Sequence, residues 1–110
     1  MNKNRIAVLG STGSIGVNTL DVVARHPDRF EVVALSAATQ VDLMVQQCAR
    51  FRPRFAVMAE EGPGRELARK IESNQLPTQV RWDKQALEDI ASHEEVDTVM
   101  AAIVGAAGLA

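Results

Sequence analysis

Three glycines at a regular spacing, Gly10, Gly13 and Gly16, form the pattern in this chain that most directly indicates chemistry. A short apolar run, residues 6–9, ends at the first of them, and a helical pattern of apolar residues follows the second. Glycine allows a tight turn, a close backbone approach to a pyrophosphate, and close packing of a helix on a strand. The free N–H groups and the dipole at a helix start favour an anion. The segment therefore predicts a strand, a phosphate-binding turn and a helix that faces a nucleotide.

The residues after the second apolar run indicate which nucleotide this would be. A site of the NAD type is expected to carry Asp or Glu about 20 residues beyond the turn, where the acid accepts a hydrogen bond from the adenosine ribose. Residues 36–40 read Ser-Ala-Ala-Thr-Gln, so no acid is present to repel a 2′-phosphate. The pattern favours NADP over NAD, although Thr39 is equally well placed to cap the next helix. Near the glycines, further hydroxyl donors come from Ser11, Thr12 and Ser14.

Alternating strands and helices must position these residues. We predict strands at 5–10, 30–36, 55–58, 79–82 and 97–104, and helices at 14–26, 40–52, 65–74 and 83–92. Strands that alternate with helices imply right-handed crossovers and a parallel sheet. The glycine pattern after the first strand makes this a Rossmann-like, doubly wound α/β fold.

Three local signals indicate where these helices start. Thr39 and Asp42 resemble a capping pair at the start of the second helix. The run Gly62-Pro63-Gly64 indicates a turn before the third helix. The fourth helix has Asp83 in a position from which it can cap the first turn.

The last strand, 97–104, should lie beside the first strand, and further strands should pair with its far edge. The chain has no strands left for that edge, so we expect an incomplete sheet at the C-terminal end and a chain that is a fragment. An unprotected apolar edge of this kind should promote association.

Composition excludes several classes of function. The formal net charge of −2 provides no general attraction for nucleic acid or anionic lipid, and no apolar run approaches the ~20 residues that a membrane span needs. The mixed cationic and aromatic run 50–55 spans a predicted helix end, where cations suit the helix dipole. A single cysteine, Cys48, excludes an intrachain disulfide and fits a reducing, cytoplasmic location.

No catalytic residue and no metal ligand is predicted within the chain. Cys48 lies on the apolar face of its helix and is interpreted as core, and Trp82 as a packing anchor. His26 and His93 lie at the C-termini of predicted helices, and neither has a convincing ligand partner nearby in sequence. The acidic pairs at 60–61 and 94–95 are interpreted as solvated loop residues. Neither a catalytic triad nor a zinc-ligand spacing is present in the sequence.

Five segments resemble the N-terminal part of the 1-deoxy-D-xylulose-5-phosphate reductoisomerase family. They are residues 10–16 (Gly-Ser-Thr-Gly-Ser-Ile-Gly), 19–23 (Thr-Leu-Asp-Val-Val), 30–35 (Phe-Glu-Val-Val-Ala-Leu), 53–58 (Pro-Arg-Phe-Ala-Val-Met) and 100–109 (Met-Ala-Ala-Ile-Val-Gly-Ala-Ala-Gly-Leu). The first and last of these motifs are specific, whereas the region 60–95 is generic.

The resemblance implies an NADPH-dependent enzyme of non-mevalonate isoprenoid biosynthesis. The family isomerises 1-deoxy-D-xylulose 5-phosphate and reduces the product to 2-C-methyl-D-erythritol 4-phosphate, using Mg²⁺ or Mn²⁺, and is usually a homodimer. It further implies that residues 1–110 are part of the N-terminal NADPH-binding domain. The metal ligands and the phosphorylated-sugar site would then lie beyond this chain, which alone would have no turnover.

The same resemblance assigns two groups of cofactor-binding residues. The group on the pyrophosphate side is Thr12, Gly13, Ser14 and Ile15, and the group at the adenosine end is Ala38, Thr39 and Gln40. Many family members carry Gly-Lys-Asn or a similar basic run at the second group, and Ala-Thr-Gln lacks that cation.

Two other classes of protein use a similar turn. A different NADP-dependent reductase, such as a semialdehyde dehydrogenase, needs a catalytic cysteine downstream, a role for which Cys48 is badly placed. A dinucleotide-sensing regulatory domain performs no chemistry. Downstream sequence would separate these classes by an acidic metal cluster, a nucleophilic cysteine or neither.

Overall fold

The computed structural model describes residues 3–101. Strands and helices alternate throughout this range. In chain order they are β1 (Asn4–Leu9), α1 (Ser14–Ala24), β2 (Phe30–Ala37), α2 (Val41–Phe51), β3 (Phe55–Met58), α3 (Glu61–Ser73), β4 (Gln79–Arg81), α4 (Ala86–Ala91) and β5 (Thr98–Ala101).

The strands form one sheet in the order β4-β3-β2-β1-β5, and every neighbouring pair is parallel. From β1 the chain steps outward to β4 and then returns across the sheet to β5, on the other side of β1. The strand order therefore reverses at β1, and ligands of doubly wound folds bind in the crevice at such a point. The predicted parallel α/β fold is confirmed. Residues 102–104 of the predicted last strand lie outside the described residues.

Helices cover both faces of the sheet, which is why the inner strands are continuously apolar. On one face Ile6 and Val8 pack with buried residues of α1, α2 and α3, among them Leu20, Met44 and Leu67. On the other face the small core contains Ala7, Ala34, Val57, Ala86 and Ile90, the last two from α4.

Three expectations about helix starts are wrong. The residue before α2 is Gln40, without a side-chain capping bond, so Thr39 and Asp42 are not a capping pair. The Gly-Pro-Gly run lies inside α3, where Pro63 is tolerated because first-turn N–H groups need no intrahelical partner. At α4 the residue before the helix is Gln85 rather than Asp83.

An ion pair joins the starts of β1 and β5. The Asp97 carboxylate accepts hydrogen bonds from the Arg5 backbone N–H at 3.0 Å and from Arg5 Nε at 3.3 Å. The Arg5 carbonyl in turn accepts from the Asp97 N–H at 2.7 Å. Hydrogen bonds from the Arg5 side chain and backbone hold the pKa of Asp97 below its usual value.

We expect the change Asp97→Asn to flatten the acid limb of the stability curve. Because the folded pKa lies below the unfolded one, this pair stabilises the fold above about pH 4, and the contribution is lost as pH falls through the folded pKa. Thermal unfolding between pH 7 and 3 measures the difference. Asp21→Asn, at an exposed position of α1, is the matched control. Parallel curves for wild type and Asp97→Asn would contradict the expectation.

Candidate functional site

The glycine turn, residues 10–16, leaves the carboxyl end of β1 and is held against the end of β2. Gly10 has a φ of 78°, a conformation that favours glycine. The Ser36 carbonyl accepts hydrogen bonds from the N–H groups of Gly10 at 3.0 Å and Ser11 at 2.8 Å. The Ser36 hydroxyl also accepts from the Gly10 N–H, at 3.1 Å. The start of the turn is thus fixed by a neighbouring strand.

A buried side-chain pair holds the same turn to α2. Ser11 Oγ donates to Gln47 Oε1 at 2.7 Å, and Gln47 Nε2 donates to the Ser11 carbonyl at 2.8 Å. Both residues are buried, so these bonds satisfy groups that water does not reach. Gln47 is not among the residues that the sequence predicts for the site. The available signal was a polar residue three positions after Met44, close to the inward face of the helix.

Two glycines of the turn have different structural roles. A Cβ on Gly16 would lie 2.2 Å from the Gly10 carbonyl oxygen and 2.7 Å from Ser11 Cα, so only glycine fits. A Cβ on Gly13 would meet its nearest atom, again the Gly10 oxygen, at 3.7 Å. Packing within the described chain therefore requires glycine at position 16, whereas a Cβ at position 13 would make only an ordinary van der Waals contact.

The start of α1 presents hydrogen-bond donors. Gly13 is the N-cap and supplies no side-chain bond, and the first turn contains no acid. The first N–H groups of a helix have no intrahelical partner. Among the bonds formed by residues 3–101, none uses the N–H groups of Thr12, Ser14 or Ile15. These groups and the positive end of the helix dipole form a fitting receptor for a phosphate.

A cleft of about 660 Å³ extends from the glycine turn along the carboxyl ends of the strands. This volume lies in the range of small-molecule sites, which is about 300–1,000 Å³. Its lining comes from the turn, from the ends of β2 and β3, and from the segment after β4. The lining residues are Gly10, Thr12, Gly13, Ser14, Ser36, Ala37, Ala38, Val57, Met58, Ala59, Trp82, Asp83, Lys84 and Leu87.

The structure places the predicted cofactor residues in two groups. Those on the cleft wall are Thr12, Gly13, Ser14 and Ala38. Those that are exposed and outside the lining of the cleft are Ile15, Thr39 and Gln40. The backbone N–H of Ile15 still belongs to the donor group at the start of α1. The role of all seven in cofactor binding stays a prediction.

The other candidates have structural roles. Burial raises the pKa of the Cys48 thiol to about 11, so this residue is not an activated nucleophile. His93 Nδ1 accepts from the Glu95 N–H at 3.0 Å, and its ring lies 5.1 Å from that of Phe55. Within residues 3–101 there is no cluster of three or more His, Cys, Asp or Glu that could hold a metal ion. None of the helices in this range has the length and apolar character needed to cross a membrane.

A parallel α/β sheet whose first strand ends in a glycine turn, with open donors and a cleft at the point where the strand order reverses, defines a nucleotide-binding domain of the Rossmann-like class. Comparison with known families identifies the family within this class. The chain belongs to the 1-deoxy-D-xylulose 5-phosphate reductoisomerase family, whose model matches residues 6–110.

Two curated relatives illustrate the similarity in sequence. The 1-deoxy-D-xylulose 5-phosphate reductoisomerase of Nitrosospira multiformis is 57% identical over 104 residues, which are 94% of this chain and 26% of that protein. The reductoisomerase of Saccharophagus degradans is 56% identical over 106 residues, 96% of this chain and 27% of its own length. The chain thus spans about a quarter of the length of these relatives.

Two solved structures illustrate the similarity in fold. A DOX-P reductoisomerase in complex with NADPH, fosmidomycin and magnesium superposes with a TM-score of 0.88 at 39% identity, over 96% of this chain and 26% of that one. The reductoisomerase of Zymomonas mobilis in complex with NADPH gives a TM-score of 0.86 at 33% identity, over 98% of this chain and 28% of that one.

Proposed function

We propose that residues 1–110 are the N-terminal NADPH-binding part of a 1-deoxy-D-xylulose 5-phosphate reductoisomerase. This enzyme converts 1-deoxy-D-xylulose 5-phosphate to 2-C-methyl-D-erythritol 4-phosphate in isoprenoid biosynthesis. The observation that carries the proposal is the set of open N–H donors at the start of α1, beside a cleft of suitable size. Solved relatives that superpose on this fold are complexes with NADPH.

The residues present fit the cofactor. The N–H groups of Thr12, Ser14 and Ile15 and the hydroxyls of Thr12 and Ser14 hold the pyrophosphate, and Gly13 presents no Cβ to its oxygens. The adenosine end faces Ala38, Thr39 and Gln40, after β2. When bound, NADPH supplies the hydride for the reduction. The chain's own contribution is to bind the cofactor and orient it, since no catalytic side chain is assigned within it.

The substrate and metal sites are proposed to lie elsewhere in the enzyme. A solved relative of the same family is a complex with magnesium, which supports a requirement of the whole enzyme for Mg²⁺. The use of Mn²⁺ stays a prediction. The assignment to a phosphorylated-sugar substrate rests on family membership. A homodimeric enzyme and a cytoplasmic location stay predictions.

Titration of the purified chain with NADPH and NADH by calorimetry tests the cofactor assignment. We expect NADPH to bind more tightly, because the residues after β2 carry no acid that would repel a 2′-phosphate. A preference for NADH would contradict the proposal.

An activity assay tests the proposal that the metal and substrate residues lie outside this chain. With 1-deoxy-D-xylulose 5-phosphate, NADPH and Mg²⁺, the isolated chain should give no NADPH oxidation. Clear turnover by the chain alone would overturn the placement of the metal and substrate residues elsewhere.

A further inference from the structure

The far end of the cleft is built by the segment between β4 and α4 together with the first turn of α4. From the glycine turn the lining runs across the ends of β2 and β3 to Trp82, Asp83, Lys84 and Leu87. This wall combines a tryptophan, a cation and an aliphatic side chain. It supplies a positive charge and an aromatic surface. The residues after β2, Ala38, Thr39 and Gln40, provide neither.

Contacts with the start of α3 fix the position of Trp82. A Cβ on Gly64 would lie 2.6 Å from Cε3 of the indole, so α3 approaches the ring as closely as glycine allows. The Arg65 guanidinium lies 5.6 Å from the centre of the ring, a distance at which a cation interacts with an aromatic face. Trp82 is therefore held by its packing while it borders the cleft, and an aromatic ring fixed in advance binds a flat ligand at low entropic cost.

The charges around this wall leave one cation available. Arg81 donates to Asp83 at 2.7 Å and lies 2.8 Å from Asp89, so these three groups compensate one another. Lys84 is exposed at the cleft and forms no ion pair with any residue between 3 and 101. An ammonium group on a flexible stem suits a phosphate approaching from solvent.

The geometry of doubly wound folds places the adenosine half of a dinucleotide over the end of β2, next to the ribose-binding position. From there the cleft continues across the end of β3 toward Trp82. We propose that Trp82, Lys84 and Leu87 complete the adenosine subsite that begins after β2: Trp82 and Leu87 bind the base, and Lys84 binds the 2′-phosphate. This inference depends on the proposed binding of NADPH.

Fluorescence offers a direct test, because Trp82 is the single tryptophan of the chain and no tyrosine is present. Adenosine 2′,5′-bisphosphate, which carries the base and the 2′-phosphate without nicotinamide, should quench Trp82 emission. Nicotinamide mononucleotide at the same concentration should leave the emission unchanged. Quenching by neither compound, in a chain that binds NADPH by calorimetry, would overturn the subsite.

Substitutions separate the roles of the base and the phosphate. Lys84→Ala should weaken binding of NADPH about tenfold and leave NADH unchanged, because NADH lacks the 2′-phosphate. Trp82→Ala should weaken both cofactors at least about fivefold, and Trp82→Phe should restore most of the affinity. Lys3→Ala is the matched control, because it removes the same charge from an exposed position near Phe30, at the opposite ends of the strands.

The outcomes distinguish this inference from the function on which it depends. If the wild-type chain binds NADPH but Lys84→Ala weakens NADPH and NADH equally, or neither of them, the assignment of the 2′-phosphate to Lys84 is wrong and the proposed function stands. If the wild-type chain does not bind NADPH, both are overturned. Circular dichroism of each variant checks the fold. Because Lys84 is exposed, the result for Lys84→Ala does not depend on the packing of Trp82.

Discussion

Replacing Gly16 by alanine is expected to destabilise the chain by about 3 kcal/mol or more. The new Cβ would stand 2.2 Å from the Gly10 carbonyl oxygen and 2.8 Å from the Ser11 carbonyl carbon. These are backbone atoms, so no side-chain rotation relieves the clash, and α1 must move away from the end of β1. Urea unfolding followed by circular dichroism measures the loss, and NADPH binding should disappear with it.

Two other glycines provide controls for this substitution. A Cβ on Gly62, in the first turn of α3, meets nothing within 4 Å, so Gly62→Ala should be neutral or stabilise the chain by about 0.5–1 kcal/mol. Gly13→Ala should keep the fold, because its nearest contact is an ordinary 3.7 Å, while it weakens NADPH binding. If Gly16→Ala were as stable as Gly62→Ala, the close packing of α1 on the turn would be disproved.

The second large effect is expected for Gln47→Leu. Leucine fills a similar volume but leaves the Ser11 carbonyl and hydroxyl without their partners, in a place that is 0% exposed at Ser11. Buried polar groups without partners cost about 1–3 kcal/mol each, so we expect a loss of about 3 kcal/mol. Because the same bonds position the glycine turn, the variant should also bind NADPH more weakly under conditions where it remains folded.

The neighbouring residue supplies the control. Gln46 is exposed on the same helix, so Gln46→Leu makes the same chemical change without breaking a buried bond and should alter stability by no more than about 0.5 kcal/mol. Equal stabilities of the two variants would show that the bonds between Gln47 and Ser11 do not contribute.

The parallel sheet could be predicted from local sequence because its inner strands contain short apolar runs bounded by clear breaks. Residues 6–9 stop at Gly10, and β3 begins soon after Pro53. Burial on both faces makes such runs continuous, and the crossovers then follow from general rules of handedness. The glycine turn was predictable for the same reason, since its residues are adjacent in the chain and act through the backbone.

Features that depend on distant contacts were not predictable. The start of α3 was misplaced because Gly-Pro-Gly favours a turn locally, whereas packing of Gly64 against Trp82 supports a helix. Gln47 reaches a residue 36 positions earlier, and no local pattern identifies that partner. The position of Trp82 at the cleft follows from the parallel pairing of β3 with β4, which brings the end of β4 beside the cleft.

The N-cap of α1 has a consequence for how the chain balances stability against recognition. A serine or aspartate at position 13 would cap the helix with its own oxygen and gain on the order of a few tenths of a kcal/mol over glycine. That oxygen would then occupy the donors that Gly13 leaves open at the start of α1. The sequence forgoes this increment, and the proposed binding of a phosphate there would supply the missing acceptor. Ligand affinity and helix stability therefore depend on the same unpaired N–H groups at the start of α1.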